Sequence, residues 1–200
     1  MASLTLIKPN WPAPPTIHAL TTTRRGGQSV GPYAEFNLAA HVGDNSDQVT
    51  QNRLILQQEL GLSTAPHWLN QTHSNTVLTL GPHPLDQPPT ADGSYTAVQN
   101  RICTVLTADC LPILLCNRQG TEVAAVHAGW RGCLGGILGN AVACFRSPPE
   151  DLLAWLGPAI GPEAYEVGQD LVDAFTQHNE LMAKAFAPRP QQKYLANLYL

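Results

Sequence analysis

Short Val- and Ile-rich runs interleaved with amphipathic stretches predict a mixed α/β or α+β chain. Three observations predict it. Apolar runs too short for helices recur at Thr76–Leu80, Ile102–Leu106, Ile113–Cys116, Val123–Val126 and Leu152–Leu156. Helical spacing of apolar residues occurs over Gln48–Leu60, Leu134–Phe145 and Val167–Phe186. No glycine-rich dinucleotide fingerprint joins a strand to a helix, which argues against a Rossmann sheet.

Each element has its own signals. The helix over Gln48–Leu60 carries Val49, Leu54, Leu56 and Leu60 with polar residues between them; Asp44–Asp47 offer N-caps and Gly61 a stop. The three runs between Ile102 and Val126 are punctuated by Pro112 and by a turn at Asn117–Gly120, and they read as neighbouring buried strands. Glycines in Leu134–Phe145 suit a helix packed tightly on a sheet. Leu152–Leu156 is a strand stopped by Gly157 and Pro158, and Val167–Phe186 reads as a longer amphipathic helix. Lys193–Leu200 begins a further amphipathic helix and stops after two turns without a C-cap.

The 200 residues read as a single domain, large enough to fold without disulfide or metal staples. Charged residues make up only 13% and the net charge is −4, which excludes function through bulk positive charge on nucleic acid or membrane surfaces. Any anionic ligand must then be held by a few placed arginines. The N-terminus lacks a signal peptide's basic start and apolar core, and no run is long enough to span a bilayer, so the expected location is cytoplasmic. The five cysteines then read as reduced core residues, ligands or nucleophiles rather than bridges.

The densest chemical signal runs from Leu106 to Gly132. Asp109 and Cys110 fall between two strands, and His127 falls where the next strand ends. Strand ends opening into loops hold side chains rigidly with room for a ligand. If the strands are neighbours, Cys110 and His127 meet. The pair then supports either a thiolate nucleophile or a transition-metal site, against the ordinary alternative of an inert buried thiol and a core histidine. A metal needs a third ligand. His73, in a polar loop before a strand, and His41, before the first helix, are better placed than His18, His67, His83 or His178, which read as surface or packing residues. The spacing matches no zinc finger. Thr23–Ser29 holds Arg24 and Arg25 beside two glycines, a combination that suits phosphate or carboxylate, though a solvated turn reads the same way. Arg131 opens a predicted helix, where backbone donors favour an anion.

TRRGGQS (Thr23–Ser29), NLAAHVGDN (Asn37–Asn45), LNQTHSN (Leu69–Asn75), TADCLPILL (Thr107–Leu115), AAVHAGWRG (Ala124–Gly132) and GPAIGPEAYEVG (Gly157–Gly168) occur in one order along most of the chain. In this the sequence resembles the YfiH/YlmD/FAMIN family, long labelled multicopper polyphenol oxidases or laccase-domain proteins. The resemblance implies a single α/β/β/α layered domain with a zinc site at His73, Cys110 and His127, copper being the alternative ion. It also implies a loop arginine at Arg24. The implied reaction is phosphorolysis of adenosine, inosine and methylthioadenosine by inorganic phosphate, with adenosine deamination as an additional activity.

Arg24, His41 and Arg131 are then the expected substrate and phosphate contacts, and Asp109 the expected proton shuttle, since no Glu stands beside a ligand histidine as in familiar zinc deaminases. Purine nucleosides and phosphate are the expected partners, with no nucleic acid, membrane or obligate protein partner. Family chains continue past Leu200 through the rest of a helix and a closing strand, so the sequence is expected to lack that C-terminal segment. Three other readings compete: a cysteine hydrolase, deamidase or peptidoglycan-precursor editing enzyme using Cys110 and His127; a copper-dependent polyphenol oxidase, for which histidines are few; and a non-catalytic metal- or nucleotide-binding module.

Overall fold

The computed structural model describes residues 4–200. Two short strands, β1 (Leu6–Ile7) and β2 (Thr21–Thr22), make an antiparallel ribbon. Helix α1 (Ser46–Glu59) follows, capped as its sequence predicts. The Asn45 side chain accepts the N–H groups of Asp47 and Gln48, and Gly61 takes a left-handed φ of 58° just past the end. Its buried face packs Leu56 against Phe36 and Leu38, with Trp68 and Leu106 alongside.

Five strands build the main sheet: β3 (Val77–Thr79), β4 (Gly93–Thr96), β5 (Leu111–Asn117), β6 (Val123–Ala128) and β7 (Leu152–Leu156). Their order is β3-β4-β6-β5-β7, antiparallel except for β3 beside β4. β5 and β6 form a hairpin through the Asn117–Gly120 turn, where Gly120 has a φ of 72°. Between β6 and β7 lie helices α2 (Trp130–Leu134) and α3 (Ile137–Ala143). Ile137 and Ala141 pack on the sheet face made by Leu111, Ile113, Leu115, Ala124, Val126 and Ala128. At the hairpin tip Glu122 is buried and accepts from Tyr95, Asn117, Arg146 and Ser147. A smaller sheet joins β8 (Glu166–Gly168), β9 (Phe186–Arg189) and β10 (Lys193–Ala196) in the order β8-β10-β9. Helix α4 (Gln169–His178) covers it through Leu171, next to Val167 and Ala196.

The expected mixture of helices and sheets is present, with four local corrections. Ile102–Leu106 is not a strand; Cys103 makes a single bridge to His67. The side-chain amide of Gln71 bonds both the N–H and the carbonyl of Leu106, occupying groups a neighbouring strand would need. The predicted helix Leu134–Phe145 is split, because Gly136 takes a left-handed φ of 83° between α2 and α3. The long C-terminal helix ends at His178, where Asn179 is extended and its side chain caps the following turn at Leu181. Lys193–Leu200 does not begin a helix: Lys193–Ala196 is the central strand of the small sheet, entered from a tight turn with Gln191 and Gln192 at positive φ. No helix among the described residues is long and apolar enough to cross a membrane.

Candidate metal centre

The open end of the β5–β6 hairpin assembles the centre. Leu111 pairs with Ala128 and Pro112 with His127, so Cys110, just before β5, comes beside Gly129, just after β6. His73 arrives on the loop before β3. That loop is drawn in by Asp92, which accepts the N–H groups of Thr72, His73 and Ser74 and the Ser74 hydroxyl at 2.7–3.1 Å. His73 takes a left-handed φ of 60° within it. Ligand atoms of His73, Cys110 and His127 all lie within 4.8 Å of one another. The Cys110 Sγ is 3.9 Å from the His73 Nε2, and the two imidazole rings meet edge to face at 4.8 Å. His73 is exposed, Cys110 half-buried and His127 buried.

Gly129 makes this closeness possible. A Cβ there would lie 2.9 Å from the His73 ring, 3.2 Å from the Cys110 sulfur and 3.7 Å from the His127 ring. One thiol and two imidazoles converging on a space kept clear of side-chain carbon fit a three-ligand transition-metal site.

The electrostatics follow from burial. The Asp92 carboxyl is fully buried, which by itself would raise its pKa. Hydrogen bonds from His127, Ser74 and Thr72 outweigh that and hold it below the usual carboxylate range. Asp92 is therefore an anion and an acceptor, and the His127 Nδ1, 2.8 Å away, donates to it. Burial of the His127 ring lowers its pKa against the opposing pull of Asp92, so the ring is neutral at pH 7. The Cys110 thiol is pushed up, first by burial and then by Asp109 and Asp92.

Asp109, exposed, lines a small cleft of about 80 Å³ beside Cys110, together with Gly129, Trp130, Ile160, Tyr165 and Leu198. The N–H of Ile160 donates to the Asp109 carbonyl, fastening the Gly157–Pro162 turn to this edge. Arg131 is exposed, with its guanidinium 4.1 Å from the centre of the Trp130 ring. Helix α2 opens at Trp130, one residue before Arg131, and is only five residues long, so it has little N-terminal field to offer. Arg24 bonds through its guanidinium to the Ala34 carbonyl of its own loop. His41 is exposed in the loop before α1 and has no hydrogen bond to the three ligands. The sequence thus places three of its candidates together, with Asp109 at their edge; Arg24 and His41 lie on separate loops. Asp92 escaped notice. No apolar run marks Ala91–Tyr95, and a contact between residues 92 and 127 depends on strand order.

The model of the family described as multi-copper polyphenol oxidoreductase laccase matches residues 18–200. The chain belongs to this family. Among the family's relatives, a Haemophilus influenzae protein named purine nucleoside phosphorylase is 50% identical over 195 residues, covering 96% of this chain and 79% of its own length. The Escherichia coli purine nucleoside phosphorylase YfiH is 48% identical, with 97% and 79% covered. Of solved structures, the Neisseria meningitidis protein NMB0706 superposes with a TM-score of 0.91 at 47% identity, covering 97% of this chain and 79% of that one. YlmD from Geobacillus stearothermophilus gives 0.73 at 30% identity, with 88% and 71% covered.

Proposed function

We propose that this laccase-family chain is a zinc-dependent purine nucleoside phosphorylase that cleaves adenosine, inosine and methylthioadenosine with phosphate. The observation that carries the reading is the 50% identity to a relative bearing that enzyme's name. The donor set suits zinc and a single copper ion alike, and the number of clusters is what favours zinc. Thiolate with two imidazoles and an open position suits catalytic zinc, and the described residues contain one such cluster where a multicopper oxidase needs several.

His73, Cys110 and His127 would hold the ion, which supplies Lewis acidity beside the cleft when bound. The cleft, far below the roughly 300 Å³ of an enclosing ligand pocket, takes a small group such as phosphate, while the nucleoside rests on the surface around it. Phosphorolysis places a phosphate oxygen at the anomeric carbon as the bond to the base lengthens, so the chain's task is to position an anion and manage a proton. Arg131, stacked on the Trp130 wall of the cleft, would hold the anion; Arg24 bonds Ala34 through Nε and Nη2 and keeps its other N–H donors for a ligand. Asp109 lines the cleft and would carry a proton to the departing base, or to the departing amino group if adenosine is deaminated. A cysteine nucleophile is disfavoured, because burial, and after it Asp109 and Asp92, raise the Cys110 pKa where such a thiol needs it depressed.

Chromatography of purified protein with adenosine, with and without phosphate, tests the proposal. Phosphate-dependent adenine release that disappears in His73→Ala and Cys110→Ala is expected. Equal turnover in all three proteins would assign the activity to a contaminant.

A further inference from the structure

We infer that Asp92 is the positioning residue of the metal centre, one carboxylate oxygen holding both histidine ligands in place. Its Oδ1 accepts the His73 backbone N–H at 2.9 Å and the His127 Nδ1–H at 2.8 Å. Its Oδ2 takes Thr72 and Ser74, at 2.7–3.1 Å. The Asp92 carbonyl also accepts the His127 backbone N–H at 2.7 Å. The two oxygens therefore divide the labour: Oδ1 joins the ligand residues and Oδ2 shapes the loop on either side of His73.

This arrangement decides the chemistry of His127. With Nδ1 committed as a donor, the proton is fixed on that nitrogen and Nε2 is left as the lone pair the ring can offer. The ring cannot turn over without breaking a buried charge-assisted bond. His73 is fixed through its backbone, in a left-handed conformation that a non-glycine residue holds only when its surroundings impose it. Burial is complete, since neither Asp92 nor Ser94 beyond it is exposed, so no water competes for Oδ1. Outer partners of metal-bound histidines typically change affinity 10- to 100-fold when removed.

The inference rests on the metal-centre reading, and its test is chosen to separate the two. Long-range proton–nitrogen NMR of the metal-free protein reads the His127 tautomer directly, and titration with Co²⁺ against a competing chelator reads affinity. Wild type should show Nδ1 protonated. Asp92→Ala should bind Co²⁺ about 10- to 100-fold more weakly, Asp92→Asn should recover part of that through its remaining acceptor, and Ser74→Ala, which removes one hydroxyl bond to Oδ2 but leaves both Oδ1 bonds, should lose far less than Asp92→Ala. Protonation of His127 on Nε2 in wild type, or undiminished Co²⁺ affinity in folded Asp92→Ala, overturns the inference. If Asp92→Ala does not fold, the wild-type tautomer and Asp92→Asn still decide it. Absence of Co²⁺ binding in wild type would overturn the metal centre, while the tautomer would still answer for Asp92.

Discussion

Replacing Gly129 by alanine should loosen the metal centre while leaving the fold intact. The backbone there has a φ of −70°, open to any residue, so the effect is steric and not conformational. The added methyl would stand 2.9 Å from the His73 ring carbon, where carbon–carbon contact begins at about 3.5 Å, so the ring must retreat by roughly 0.6 Å. The sulfur of Cys110, 3.2 Å away, is pressed as well. Metal–ligand distances tolerate only about 0.2 Å. His73 cannot follow freely, because its own N–H is held by Asp92. Overpacking of this kind costs about 1–3 kcal/mol, and loss of one good ligand contact should weaken metal binding at least tenfold, about 1.4 kcal/mol.

The assay is Zn²⁺ competition with a chromogenic chelator, alongside thermal unfolding of the metal-free protein. Gly136→Ala is the matched control. Nothing lies within 4 Å of its added carbon, but its φ of 83° is left-handed, so it should lose about 1–2 kcal/mol of stability with metal affinity unchanged. Wild-type affinity in Gly129→Ala would refute the claim that this glycine exists to let the three ligands meet.

Other expectations are as direct. Glu122, held at about 2 against an ordinary 4.5 by bonds from Ser147, Tyr95 and Arg146 that outweigh its burial, contributes about 3 kcal/mol that is fully present above pH 4.5 and lost as pH falls through 2. Glu122→Gln should therefore lower stability at pH 7 and flatten the acid limb of a denaturant-midpoint-against-pH curve; an unchanged slope refutes it. Arg131→Ala should raise the KM for phosphate about tenfold or more, in line with a charge-assisted bond, whereas Arg24→Ala, which frees Ala34, should mainly lower Tm; the reverse pattern in steady-state kinetics would reassign the anion site. Asp109→Asn should lose any adenosine deaminase activity, and full retention by an ammonia-release assay removes it as shuttle.

Much of the centre was legible because it is local. Leu152–Leu156 matches its strand residue for residue, and the β5–β6 hairpin, readable from two apolar runs and a glycine turn, by itself brings Cys110 towards His127. What remained hidden depends on pairings distant in sequence. Gly93–Thr96 is wholly buried yet begins Gly-Ser, so no apolar run marks it as the strand between β3 and β6. Without that strand Asp92 has no visible link to His127. Lys193–Ala196 failed for a different reason: Tyr194, Leu195 and Leu198 satisfy helical and strand periods over so short a span, and the preceding turn decides.

On the proposed metal reading, the cross-strand pairing of Pro112 with His127 ties ion uptake to folding fidelity. Neighbouring side chains on β6 face opposite ways, and Val126 and Ala128 belong to the helix-covered side. A hairpin shifted by a single residue would swing the imidazole under α3 and away from its companions. Ion capture by the proposed centre should therefore time the moment at which this ribbon finds its proper alignment during refolding, and a misaligned chain, however compact, should remain unable to chelate.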